Sequence, residues 1–129
     1  MSCVFCQIIA RQLPGFIIAE DEKTIVWVSL EGHPIVAPKE HIQDIFGLSD
    51  TLAAAIMSTA REVARATMEA LAADGIYITQ TNGAAAGQSV FHYHMHVYPK
   101  WNDGRPVGRS EDARKSMMEK VRAILQARA

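Results

Sequence analysis

The chain has 129 residues, one domain's worth, and can bury a sizeable core without disulfides or metal, although dimerisation would help. Apolar residues make up 49% and charged residues 21%, an ordinary globular mixture. The net charge of −1 supplies no basic field to hold a long nucleic acid, whereas a small anionic ligand needs only a few well-placed groups. No uninterrupted apolar run approaches the ~20 residues needed to cross a membrane. The start, Met1-Ser-Cys-Val-Phe-Cys-Gln7, lacks the basic and apolar stretches of a signal peptide. A cytoplasmic protein without membrane association is expected. In reducing cytosol the Cys3-x-x-Cys6 pair reads as a metal clip or redox pair rather than a structural disulfide.

In chain order, Val4, Phe5, Ile8 and Ile9 form a short helical stripe over Cys3–Gln12, closed by Leu13-Pro14-Gly15. Phe16–Glu20 and Thr24–Leu30 are β-rich runs with Asp21-Glu22-Lys23 as the turn between them. His33–Pro38 reads as a third strand, which Pro34 and Pro38 should keep at an edge or short. Ser49 is a good N-cap for a long helix to about Ala73. Leu52, Ile56, Thr59, Val63, Thr67 and Leu71 make its buried face, and Asp74-Gly75 ends it. Ile76–Thr81 is a strand, Asn82–Ser89 a loop of small and polar residues, and Val90–Tyr98 the last strand. Trp101–Arg109 reads as an irregular loop. Ser110 opens a final helix whose stripe is Met117, Val121, Ile124 and Leu125. No repeat or linker divides the chain. The expectation is one domain over 1–129, its core about 3–101 and its C-terminal loop and helix over 102–129. The class is α+β: a mostly antiparallel five-stranded sheet with the long helix and the short N-terminal helix packed on it, plus the C-terminal helix.

The informative segment is Gln88-Ser-Val-Phe-His92-Tyr-His94-Met-His96-Val-Tyr98. On a strand, alternate side chains share a face. His92, His94 and His96 therefore line one face about 7 Å apart, while Tyr93, Met95 and Val97 pack into the core. Neutral imidazole is a good nucleophile toward phosphorus and a good acid or base near pH 7. Three can divide the work: one attacks, one stabilises phosphoryl charge, and one fixes its neighbour's tautomer. The same spacing suits a three-histidine metal site. The loop Asn82-Gly-Ala-Ala-Ala-Gly87-Gln88-Ser89, leading straight into this strand, offers backbone N–H groups, an amide and a hydroxyl that can surround a phosphate.

These residues resemble the histidine-triad (HIT) family, whose signature is His-φ-His-φ-His-φ-φ with φ apolar; His92–Tyr98 fits every position. The preceding loop, Cys3-Val-Phe-Cys-Gln-Ile-Ile9 and Ala37-Pro-Lys-Glu-His41 are similar too, so the resemblance spans about residues 3–101. It implies a homodimer with a joined sheet and hydrolysis or transfer at the α-phosphate of a small nucleotide, through a nucleotidyl-histidine intermediate on His94. His96 would stabilise charge on the phosphoryl oxygens, with His92 completing the catalytic triad. Asn82, Gly87, Gln88 and Ser89 would hold the phosphate. The Hint-like motifs favour nucleoside phosphoramidates. Dinucleoside polyphosphate hydrolysis and a non-catalytic nucleotide-binding or signalling role are the alternatives. No metal is needed for the chemistry. A structural zinc would be held by Cys3, Cys6, His41 and His92, as in zinc-containing relatives. The chain departs from the family at Val28-Ser-Leu-Glu-Gly-His33, which is shorter than usual and has Ser29 about where an acid that binds the ribose hydroxyls is expected.

Overall fold

The structure, a computed structural model, describes residues 3–128. Helix α1 (Val4–Ile9) opens on Cys3, whose Sγ accepts from the Cys6 N–H. Strands β1 (Ile17–Glu20), β2 (Thr24–Val28) and β3 (Pro34–Pro38) follow. The turn into β2 is closed by the Asp21 carboxylate, which accepts from the N–H groups of Lys23 and Thr24. Long helix α2 (Asp50–Leu71) starts at Ser49, whose Oγ accepts from the Leu52 N–H at 3.1 Å, satisfying one of the orphan donors of the first turn. It ends at Ala72, which carries the left-handed conformation (φ +50°) that was expected nearer Gly75. Gly75 instead opens strand β4 (Gly75–Thr79). Strand β5 (Met95–Lys100) and helix α3 (Glu111–Arg128) complete the fold.

The five strands are antiparallel in the order β1-β2-β3-β5-β4, which bears out the α+β expectation. Strand β3 is internal, not an edge. Its prolines lie at its two ends, opposite Val28 and Thr24, and its pairing with β5 is confined to Ile35–His96 and Val36–Met95. A proline at a strand terminus removes little from the ladder.

The sheet is covered on both sides, so all five residues of β2 and of β3 are buried. On one side Val26, Val28, Val36, Met95 and Val97 pack against Ile56, Ala60 and Val63 of α2 and Met117 and Val121 of α3. On the other, α1 brings Phe5 onto Ile25, Trp27, Ile35 and Ala37, with the Phe5 ring edge-on to Trp27. This second layer is thin and leaves His94 and His96 on the open part of the same face.

Candidate functional site

The segment expected as one long strand is irregular over 90–94, and its ladder begins at Met95. The alternation nevertheless holds. Tyr93, Met95 and Val97 enter the helix-side core, and the histidines turn the other way. Among the described residues the three do not form one metal-binding group: His92 lies with Cys3, Cys6 and His41 instead.

Each histidine has a distinct partner, and the partners dictate distinct tautomers. His92 is fully buried. Its Nε2–H donates to the Pro38 carbonyl at 2.8 Å, which leaves Nδ1 as a lone pair facing Cys3, Cys6 and His41. The Nδ1–H of His94 donates to the His92 carbonyl at 2.7 Å, so its Nε2 is the unprotonated nitrogen. The His94 ring is wedged edge-on against Phe5, centroids 4.8 Å apart. His96 lies 4.9 Å from His94, centroid to centroid. Its Nδ1 is 2.7 Å from Nε2 of His33.

His33 is the residue that sequence reasoning missed. Antiparallel pairing of Ile35 with His96 carries His33, two residues upstream, beside Tyr98; the two rings lie 4.0 Å apart. The Ser29 hydroxyl is 3.1 Å from His33 Nδ1 and accepts from the N–H groups of Glu31 and His33. Its own proton is then directed at His33 Nδ1. His33 Nε2–H donates to His96 Nδ1, and His96 presents Nε2–H outward. One imidazole thereby offers a lone pair and its neighbour an N–H. The only local signal for His33 was a polar residue at the mouth of a strand; the pairing that gives it a role spans 63 residues.

All four rings are held in the neutral form. Burial lowers the pKa of His92, His94 and His96 below the ordinary imidazole value, as desolvation disfavours charge. Glu31 partly opposes this at His96. At His33 burial, reinforced by the His96, Lys100 and His94 charges, pushes the value down to about 3.

His94 and His96 open into a cavity of about 370 Å³. Its inner wall is apolar, with Phe5, Ile8, Trp27 and Ile35; Gly87, Ser89 and Thr81 line it near the histidines. Of the expected phosphate loop, Gly87 (φ +100°) and Ser89 reach this cavity, and Ser89 makes no side-chain hydrogen bond among the described residues. Gln88 and Asn82 brace the loop instead. Gln88 Oε1 accepts from the Gly83 N–H and its amide donates to the carbonyls of Gln43 and Val90. Asn82 Oδ1 accepts from the Ile45 N–H.

Cys3, Cys6, His41 and His92 come together with all ligand atoms within 4.8 Å of one another. The Sγ–Nδ1 separations are 3.3 Å (Cys6–His41), 3.5 Å (Cys3–His92) and 3.6 Å (Cys6–His92), and the two Nδ1 atoms are 3.2 Å apart. Bonds of 2.0–2.3 Å in a tetrahedron put ligand atoms about 3.3–3.8 Å apart. The tautomer of His92 also suits a ligand whose second nitrogen is anchored on a carbonyl. The residues fit a tetrahedral metal ion.

Fold and motif together define a small α+β protein built on a histidine triad. Residues 10–103 match the HIT domain family. The chain is 36% identical over 111 residues to "Protein hit" of Bacillus subtilis, covering 83% of this chain and 77% of that protein. It is 32% identical over 112 residues to a Schizosaccharomyces pombe protein named adenosine 5′-monophosphoramidase hnt1, covering 84% and 81%. A Zn-bound histidine triad family protein from Mycobacterium smegmatis superposes with a TM-score of 0.88 at 35% identity, covering 98% and 95%. The chain belongs to the HIT family.

Proposed function

We propose that this protein is a nucleotide hydrolase or transferase that acts at the α-phosphate of a nucleoside phosphoramidate or related small nucleotide. The observation that carries the reading is the pair of different Nδ1 partners, the His92 carbonyl for His94 and the His33 ring for His96, which implies a free Nε2 on His94 and an outward Nε2–H on His96, side by side in one partly apolar cavity. His94 Nε2 attacks phosphorus as the P–N bond breaks, the leaving amine takes a proton from water, and water then cleaves the nucleotidyl-His94 bond, releasing the nucleotide, a proton and free His94. His96 donates to the phosphoryl oxygens as their charge grows. His92 acts through its carbonyl, which orients His94. Ser89 and the N–H groups near Gly87 hold the phosphate, with Gln88 and Asn82 keeping that loop in shape. The base lies against Phe5, Trp27 and Ile35. The relative named as an adenosine 5′-monophosphoramidase supports this substrate class.

The Cys3, Cys6, His41 and His92 cluster holds a zinc ion in a structural role, a reading supported by its geometry and by the Zn-bound relative. The protein works in the cytoplasm as a homodimer, without membrane or long nucleic-acid partners; among the described residues no helix is long and apolar enough to cross a membrane.

The test is turnover of a fluorogenic adenosine phosphoramidate. His94→Ala, which removes the nucleophile of a covalent route, is expected to lose at least ~10³-fold in kcat while remaining folded. Rapid acid quench of the parent protein should trap a mass increase of one nucleotidyl group on His94. Turnover of His94→Ala within tenfold of the parent sinks the assignment. Tight nucleotide binding with no turnover favours a binding role instead.

A further inference from the structure

The cavity that holds His94 and His96 is completed by a residue from outside the matched family region. Arg114, on the first turn of α3 and beyond residues 10–103, is the one Lys or Arg among the described residues that lines it. Helix α3 packs on the opposite face of the sheet, so Arg114 reaches the cavity around the ends of β1 and β2. Two contacts hold it there. Its Nε donates to the Arg109 carbonyl at 3.2 Å, and its guanidinium sits 5.4 Å from the centre of the Phe16 ring.

The approach itself is built into the backbone. Gly32, at φ +101° in the β2–β3 turn, lies so close to the Gly108 carbonyl that a Cβ there would be 2.2 Å from its oxygen. Gly108 in turn leaves only 2.7 Å for a Cβ beside Ala113. Both glycines press the start of α3 against the turn that carries Ser29 and Glu31. The mouth of the cavity and the start of the helix that carries Arg114 are therefore in direct backbone contact.

Arg114 is half-buried and has no carboxylate within 4.0 Å among the described residues. With Nε used, its terminal N–H groups make no hydrogen bond among the described residues. A partly desolvated guanidinium without a counter-ion is best satisfied by a phosphate, which it can grip with two parallel hydrogen bonds. The cavity says where that phosphate belongs. With phosphorus at His94 and the base against Phe5 and Trp27, the sugar would fall toward the end of β2, where Ser29, Glu31 and Arg114 line the same cavity. The one hydroxyl there, Ser29, already accepts two N–H groups and serves His33.

We infer that Arg114 binds a second phosphate carried on the sugar, and that the preferred substrates are 5′-phosphoramidates of nucleosides phosphorylated at the 2′ or 3′ position. This rests on the proposed nucleotide chemistry and narrows its substrate class.

The experiment is calorimetric binding of adenosine 5′-monophosphate, adenosine 2′,5′-bisphosphate and adenosine 3′,5′-bisphosphate to the intact protein and to Arg114→Gln and Arg114→Lys. At least one bisphosphate is expected to bind about tenfold or more tightly than the monophosphate. That advantage should shrink as salt is raised, vanish in Arg114→Gln and persist in part in Arg114→Lys, with monophosphate affinity unchanged. Equal affinity for all three nucleotides overturns the inference and leaves the hydrolase reading standing. An equal loss for all three in Arg114→Gln also overturns it, since Arg114 is then a general nucleotide contact. Failure of every nucleotide to bind overturns both readings.

Discussion

At the scale of single residues, chemistry here is organised by hydrogen-bond partners rather than by proximity alone. His94 and His96 are the same residue type two positions apart. One faces a backbone carbonyl and the other faces a second imidazole, and this makes them opposites. His33 is therefore proposed as a positioning residue acting through His96. His33→Ala is expected to lower kcat of phosphoramidate turnover by about tenfold to hundredfold, the range for outer partners of a functional histidine, with KM nearly constant. A rise in KM at constant kcat would instead make it a binding residue. Its neutrality also has a sign in stability. The unfolded chain takes a proton on His33 near pH 6.5, whereas the folded chain does not until about pH 3. Folding free energy should thus be full above pH 6.5 and drain away as pH falls toward 3. His92, His94 and His96 act in the same direction. Urea unfolding across this window should show the fall, and it should be shallower in His33→Asn. An unchanged slope removes His33 as its source.

Ser29 settles less than its position suggested. Its hydroxyl supports His33 and is not spare for ribose, while Glu31 lines the cavity and is exposed. Loss of a carboxylate-type contact with ribose costs roughly 1.5–3 kcal/mol. The expected ratio of kcat/KM between matched ribo- and 2′-deoxyribo-phosphoramidates is therefore below tenfold. A larger ratio abolished by Glu31→Ala would assign the sugar contact to Glu31.

At the scale of elements, α1 is the shortest α-helix of the described residues, and a metal ion in the Cys–His cluster would secure it. It has six residues, too short to persist alone. One end is joined through Cys3 and Cys6 to His41 and His92, and its middle is pinned by Phe5 on Trp27 and His94. Zinc bound there would link α1, the segment after β3 and the segment before β5. Protein purified without chelator is expected to carry about one zinc per chain. Stripping it should lower Tm and raise amide exchange over 4–9 and 92–94 before the rest of the sheet. A protein that contains no zinc and takes none up refutes the site. Strand β3 teaches a related lesson. Its two prolines argued for an edge or a short strand; it is internal and five residues long, with both prolines at its ends, where their missing N–H groups cost least.

At the scale of the whole molecule, one edge of the sheet is unfinished. Strand β4 is an outer strand, with Tyr77 56% and Ile78 40% exposed. The outward face of α2 adds Met57 and Met68, 56% and 37% exposed, among the alanines that allow close helix approach. An apolar open edge invites pairing, and a two-fold axis beside it would join two sheets into one. Light scattering at micromolar concentration is expected to give the mass of a dimer, and Ile78→Lys should shift it toward monomer. A monomeric parent protein refutes the arrangement.

Much of this was legible in the chain. The period-two pattern of His92–Tyr98 told which residues enter the core and which turn to the other face, because alternation is a local property of extended backbone. The Cys-x-x-Cys spacing, the Ser49 cap and the stripe of α2 are local as well. What could not be read locally depends on strand order and register. Whether β3 is an edge, which nitrogen of each histidine is free, that Gln88 and Asn82 brace the loop, and that His33 stands behind His96 all follow from contacts dozens of residues apart. Arg114 is the furthest such case: nothing near it in sequence marks it, and only the packing of α3 across the sheet brings its guanidinium to the cavity. Hydrogen-bond partners decide tautomer and charge, and those partners exist only once the sheet has formed.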